Sequence, residues 1–301
     1  MALRIVHSPA YDAQFDPAHR FPMGKYSELA RVLVEDGLVA PGTFIVPDPA
    51  PRDWVKQVHD STYVDQVYAF EIPLPIQKAI GFTLTERAIV RAQCATKGTV
   101  LAAQQALEHG VACNTAGGSH HAHSRHGAGF CTFNDVAVAA HYLLSGQKVQ
   151  QILVIDLDVH QGDGTAEIFA DDARVFTASI HAANNYPTDK QDSDFDLALP
   201  DGMEDGAYLK MLVLALEELR VRAPAPDLVF FNAGVDVHEG DRLGKLALTD
   251  AGIEKRERLV FSHFYQRGIP VCGVIGGGYS RDVRALAKRH AILFHVASEF
   301  A

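Results

Sequence analysis

The sequence is short of cysteine, of long apolar runs and of linkers, and each shortage excludes something. Only four cysteines stand in 301 residues, at 94, 113, 131 and 272. No two form a CxxC pair, and their gaps match neither a zinc knuckle nor a disulfide framework. The opening Met1-Ala2-Leu3-Arg4-Ile5-Val6-His7 holds no apolar stretch long enough for a signal peptide. No run reaches the ~18 apolar residues of a membrane span. These features predict a soluble, cytoplasmic protein of a reducing compartment, without a membrane partner. Cations are also scarce: 27 Lys and Arg stand against 37 Asp and Glu, a net charge of −10. Such a chain repels phosphate backbones, so nucleic acid is not an expected partner. It would attract a cationic substrate such as a lysine-rich segment or a polyamine, although a charge of this size also serves simply to keep a protein soluble.

Repeats, low-complexity tracts and Gly-, Ser- or Pro-rich linkers are missing too. The nearest candidate linker, Pro41 to Arg52, is short. The length is about twice the ~150-residue guide for a domain, and we read residues 1–301 as one domain. Apolar residues make up 48% and charged residues 21%, the balance of an ordinary globular protein.

Near-continuous apolar runs at Leu3–His7, Val111–Asn114, Gln151–Leu157, Arg174–Ser179, Asp227–Asn232 and Ile269–Ile275 predict strands covered on both faces. Helices are predicted between them. One opens at the capping-box pattern Thr83-Leu84-Thr85-Glu86 and stops at Gly110. Others run over Val136–Leu144 with Asn134 or Asp135 as cap, over Tyr208–Arg222 before Pro224, and over Ala251–Arg267 with Thr249 or Asp250 as cap. A last amphipathic one carries Val283, Leu286, Ala287, His290, Ala291, Phe294 and Ala297. Alternating strands and helices imply an α/β fold with a mostly parallel sheet, whose sites lie beyond the carboxyl ends of the strands.

Four strand ends carry chemistry. The strand ending at Asn114 leads into Gly117-Gly118-Ser119-His120-His121-Ala122-His123, part of a set of 15 histidines. The strand through Leu157 leads into Asp158-Val159-His160-Gln161-Gly162-Asp163. The next leads into Ala233-Gly234-Val235-Asp236-Val237-His238, and the last into Gly276-Gly277-Gly278-Tyr279. Alternate strand residues share a face, so Asp156, Asp158 and His160 can converge. Carboxylate oxygen with imidazole nitrogen suits a catalytic zinc or similar ion, and Asp236 is the natural third ligand. Asp-Val-His occurs twice, and spacing alone leaves open whether His238 also binds. Taken singly, Asp156 or Asp158 could cap a turn and His160 could be a core histidine. The pair His120 and His121 can supply base and acid for amide hydrolysis, with Asp156 and Asp163 to fix their tautomers. A solvated histidine-rich loop is the bland alternative, and His123 and His126 are assigned to it. Tyr279 can stabilise an oxyanion. The Gly-rich turn before it lacks the lysine and spacing of a phosphate loop.

Gly-Gly-Ser-His-His-Ala (117–122), Gly-Phe-Cys-Thr-Phe-Asn-Asp (129–135), Asp-Leu-Asp-Val-His-Gln-Gly-Asp-Gly-Thr (156–165), Asn-Ala-Gly-Val-Asp (232–236) and Gly-Gly-Gly-Tyr (276–279) resemble the zinc-dependent histone deacetylase family in content, order and approximate spacing. His7-Ser8-Pro9 and the region from His19 to Tyr26 are similar too, so the likeness spans nearly the whole chain. Asn184-Asn185-Tyr186-Pro187 and Leu199-Pro200-Asp201-Gly202 look most like the bacterial and class IV branch.

The resemblance implies a three-layer α/β/α fold of the arginase/deacetylase type. It also implies one zinc ion held by Asp158, His160 and Asp236, and no ligand role for His238. His121 would be the principal base and acid with Asp163 behind it. His120 would be its electrostatic partner, backed by Asp156. Tyr279 would bind the substrate carbonyl, and Gly129 and Phe130 would line an acyl-lysine tunnel. A potassium ion would sit near Asp156, Asp158, His160, Ser179 and Ile180. The first loop, with Met23 and Lys25, would form the floor of the acyl pocket, near a position that other members fill with arginine. The implied activity is removal of an acyl group from lysine ε-amines in proteins or peptides. The alternative is deacetylation of acetylpolyamines or another small acylated amine. A two-manganese ureohydrolase would need carboxylates beside Asp236, where Val237-His238 stands instead. A non-catalytic acyl-lysine binder should have lost the histidine pair, a ligand or the tyrosine, and all are present.

Overall fold

The fold is taken from a computed structural model that describes residues 2–223 and 225–301. Met1 and Pro224, the latter read above as following a helix end, lie outside the described residues. Seven strands form the sheet: β1 (Arg4–Val6), β2 (Val111–Asn114), β3 (Ile152–Asp156), β4 (Val175–Ala182), β5 (Phe195–Leu199), β6 (Leu228–Asn232) and β7 (Val271–Val274). Their order is β1-β2-β7-β6-β3-β4-β5, and every neighbouring pair is parallel. Six of these were predicted as apolar runs. The seventh, β5, was not: it lies at the sheet edge, and its residues alternate between part-buried and exposed up to the buried Leu199, so no apolar run marks it.

The helices are α1 (Lys25–Glu35), α2 (Arg52–Lys56), α3 (Ser61–Ala69), α4 (Leu74–Ile80), α5 (Glu86–His109), α6 (Asp135–Ser145), α7 (Asp163–Phe169), α8 (Asp205–Arg222), α9 (Asp250–Tyr265) and α10 (Val283–Ser298). Side-chain caps start several of them. Thr85 accepts from Ala88 N, so α5 begins two residues later than a box at Thr83 would place it. Asn134 caps α6, Thr249 caps α9 and Asp282 caps α10. The Pro41–Arg52 segment is no linker: Ile45 exchanges backbone hydrogen bonds with Ile5 and His7 beside β1.

Because successive strand residues point to opposite faces, the core divides in two. Val6, Ala112, Ile152, Val154, Phe230 and Val274 pack with α6 and the second half of α5. Ile5, Cys113, Leu153, Ile155, Val229 and Phe231 pack with residues of α8, α9 and α10. The result is the three-layer α/β/α architecture. All four cysteines are buried, unpaired thiols. Among the described residues no helix is long and apolar enough to cross a membrane.

Candidate active site

The functional side chains stand where β2, β3, β6 and β7 run out. The backbone stays paired past the strand ends: Leu157 N donates to Asn232 O, Ala233 N to Val274 O and Val235 N to Gly277 O, at 2.8–3.0 Å. This pairing brings Asp158, His160 and Asp236 together. One nitrogen and two carboxylate oxygens of these three buried residues lie within 4.8 Å of one another. His160 Nδ1 is 3.0 Å from Asp158 Oδ1 and 3.1 Å from Asp236 Oδ2. The remaining oxygens are already used: Gly277 N donates to Asp158 Oδ2 at 2.6 Å, and Val159 N to Asp236 Oδ1 at 3.0 Å. Residue 277 must be glycine, since a Cβ there would lie 2.7 Å from Asp158 Oδ2 and collide with Asp236 as well.

The donor set fits a zinc ion: imidazole nitrogen and carboxylate oxygen are its ordinary ligands. Electrostatics point the same way. Burial, then the charge of Asp158, pushes the Asp236 carboxyl up, because two buried carboxylates side by side resist joint ionisation unless a cation shares the site.

Each member of the histidine pair has its own carboxylate. His120 Nδ1 lies 2.7 Å from Asp156 Oδ2, and its Nε2 is 3.8 Å from Asp158 Oδ1. His121 Nδ1 lies 2.5 Å from Asp163 Oδ1. The two rings part in charge. Burial pulls His120 down, but Asp156 and Asp158 outweigh it and push the imidazole up to about 9. Burial, then the charge of His120, pulls His121 down to about 4. Asp156 is shared further: Asn232 Nδ2 and Asp158 N both donate to its Oδ1. Ser179 lies beside Asp156 in the β3–β4 register, and Ile180 follows it, fully buried.

His123 departs from the reading as a solvated loop residue. Its Nε2 is 3.0 Å from Asp163 Oδ2, so two imidazoles hold the two oxygens of one carboxylate. The His126 ring lies beside it, centroids 4.8 Å apart and planes tilted by 41°.

His121, His160 and Tyr279 line one cavity of about 620 Å3, with Gly129, Phe130 and Tyr186 among its walls. The Tyr186 ring stands perpendicular to His121 at 4.8 Å. Gly129 and Phe130 both have left-handed backbone, with φ of 51° and 67°. Such a conformation is strained for phenylalanine and turns its ring toward Tyr279, 5.7 Å away. Burial, then Asp236 and Asp158, pushes the Tyr279 phenol well up, so it stays a proton donor. Asp241 fixes its backbone, accepting from Tyr279 N at 2.7 Å and from Leu243 N and Gly244 N.

Behind Tyr279 is a void of about 20 Å3 between Phe21, Tyr26, Arg91 and the glycine turns. Lys25 is fully buried and donates to Gly276 O at 3.2 Å. Burial pulls its amine down to about 8 against the charge of Asp236. Arg91 of α5 also borders this void and donates to the Tyr26 hydroxyl.

The histone deacetylase domain model matches residues 19–295. The chain belongs to the histone deacetylase family. A protein of Picosynechococcus sp. whose own function is uncharacterized is 46% identical over 299 residues, 99% of each chain. Histone deacetylase 2 of Arabidopsis thaliana is 30% identical over 290 residues, 92% of this chain and 75% of the plant protein. The crystal structure of an HDAC homolog from Aquifex aeolicus superposes with a TM-score of 0.85 at 25% identity, covering 99% of this chain and 84% of that one. A homolog has also been solved in complex with SAHA. This deacetylase-family chain is thus a hydrolase of a zinc-dependent family, with the family's fold and a buried Asp-His-Asp group able to hold the metal.

Two residues that serve the site, Arg256 and Asp241, were not singled out from sequence, and a third, His123, was read as a solvated loop residue. Arg256 of α9 is wholly buried, donates to Leu157 O and Gly234 O, and pairs with Glu257. Its only sequence signal is an Arg-Glu pair inside a helix. Asp241 had none, being one more acid in a polar loop. His123 had its spacing from His121, which places both on one loop but does not reveal the shared carboxylate.

Proposed function

We propose that the protein removes an acyl group, acetyl or related, from the ε-amine of lysine in proteins or peptides, with residues 1–301 working as one catalytic domain. The observation that carries this reading is one cavity wall bearing His121, His160 and Tyr279. A zinc ion held by Asp158, His160 and Asp236 would supply the positive charge that polarises the amide carbonyl and lowers the pKa of a neighbouring water. His121 is neutral at neutral pH and its Nδ1 is committed to Asp163, so Nε2 takes the proton of the attacking water and returns it to the departing amine. His120 stays cationic between Asp156 and Asp158 and offsets the negative charge that gathers at the carbonyl. The Tyr279 hydroxyl donates to the same oxygen as it becomes an oxyanion. Gly129 and Phe130 hold the lysine methylenes in the tunnel, and water is kept out by the aromatic walls. A potassium ion near Asp156, Asp158, His160, Ser179 and Ile180 would steady the β3 and β4 ends. The four unpaired thiols suit a reducing compartment such as the cytoplasm.

The test is Tyr279→Phe and His121→Ala on an acetyl-lysine peptide, with zinc content measured in parallel. Loss of roughly 100- to 1000-fold in kcat is expected, with zinc retained in both. Near-wild-type turnover in both variants would overturn the reading.

A further inference from the structure

The cavity over Tyr279 is lined by two cations, Arg20 and Lys78, and by no aspartate or glutamate. Both side chains are on exposed residues. Among the described residues neither forms an ion pair with a carboxylate, in contrast to Arg284, which pairs with Glu28 and Glu35, though other surface cations such as Lys148 and Lys255 are unpaired too. Both are also anchored to the tunnel wall. The Arg20 guanidinium sits over the Phe130 ring at 5.3 Å. Lys78 lies in the last turn of α4, and the end of that helix is clamped to the tunnel loop: Gly129 N donates to Ala79 O and Phe130 N to Ile80 O, at 2.9 and 2.8 Å. The adjoining hollow is lined by charges of both signs, Asp12 and Asp16 together with Arg242 and Arg281. The unbalanced positive charge therefore belongs to the mouth itself, in a chain whose net charge is −10.

From this arrangement we propose that the entrance selects acyl-lysine segments flanked by acidic residues and turns away polycationic ones, a specificity that rests on the lysine-deacylase reading above. A concave mouth with like charges on low-dielectric walls concentrates ligands of the opposite sign. An acyl-lysine projecting into the tunnel leaves its neighbouring residues at the rim, where flanking carboxylates meet Arg20 and Lys78. An acetylpolyamine, or a peptide with flanking lysines, brings its remaining cations to the same place and is repelled. The whole-chain charge predicts the reverse preference, so the two readings give opposite results.

The experiment uses the zinc-loaded protein and three acetyl-lysine peptides of equal length, with acidic, neutral or basic flanks, plus an acetylated polyamine. kcat/KM is measured at low salt and at high salt. In the wild type the acidic peptide should exceed the basic one by about tenfold, as two partly screened charge contacts allow. The ratio should shrink toward one at about 0.5 M salt, where screening acts within a few ångströms. Arg20→Glu/Lys78→Glu should invert the preference, and Lys78→Glu alone should reduce it if the double variant folds poorly. Equal or better turnover of the basic peptide or the polyamine by the wild type overturns the proposal. So does a salt-independent ratio, or a ratio unmoved by the substitutions. No turnover of any acetyl-lysine peptide, the neutral one included, overturns the lysine reading and this proposal with it; turnover of the neutral peptide without a charge preference overturns this proposal alone.

Discussion

Residues 158–160 and 236–238 spell the same tripeptide beyond two adjacent strands, β3 and β6, and they part at the third residue. The two aspartates face each other and both valines are wholly buried. His160 then turns inward, its Nδ1 against both carboxylates. His238 turns outward. Its backbone N closes a tight turn onto Val235 O, its neighbour Glu239 pairs with Leu248, and its ring accepts from Gly240 N and approaches Asp250 at 3.3 Å. Identical side chains thus take different tasks because the chain leaves the two strands along different paths. Chemistry at a strand end is assigned by the turn that follows as much as by the residues themselves.

That contrast can be broken by substitution. His160→Ala should remove bound zinc and lower kcat/KM by about a thousandfold, roughly 4 kcal/mol of transition-state stabilisation. The contrast fails if zinc stoichiometry and turnover survive. The next effect concerns what holds the two tripeptides together. Arg256 ties Leu157 O, one residue before Asp158, to Gly234 O, two residues before Asp236, and its loss leaves Glu257 buried without a partner. Arg256→Met should cost about 3 kcal/mol in urea unfolding and weaken zinc binding as well. Unchanged zinc affinity would show that the tripeptides hold their spacing unaided.

A histidine of the frame gives the comparison a third point. Burial pulls His59 down to about 4, and its ring joins His123 O to Asn134 N. Its folded value lies below its unfolded one, so its contribution is complete above about pH 6.5 and is lost as pH falls toward 4. Between pH 7 and 4.5, wild type should lose about 2 kcal/mol more unfolding free energy than His59→Gln. Equal losses would remove His59 from the account. The smallest effect belongs to the second tripeptide: His238→Ala should keep full zinc content and stay within about 0.5 kcal/mol in stability. A loss like that of His160→Ala would erase the distinction.

Much of this architecture was legible in the sequence because buried parallel strands must be apolar throughout, which is why β2, β3, β6 and β7 stand out and why the residues after them drew attention. The edge strand β5 was not, since one solvated face and Asp196 break its pattern. Nor was α1, whose opening residue Lys25 looks like a surface lysine and is buried instead against Gly276. The histidine pair could be found by its tandem spacing, but which carboxylate stands behind which ring came only from the family resemblance, because Asp156 and Asp163 lie far from the pair in sequence. The second imidazole on Asp163 could not, because His123 resembles the solvated histidines beside it until the loop is folded. The two cations at the mouth were hidden by the arithmetic: a sum over 301 residues says nothing of where 27 positive charges stand.

Asp241 joins two stretches of chain that lie far apart in sequence. One of its oxygens receives the amide of Tyr279, and the other receives those of Leu243 and Gly244. Leu243 is part of the entrance wall. A single carboxylate thus anchors both the main chain that carries the phenol and the loop that forms the entrance wall.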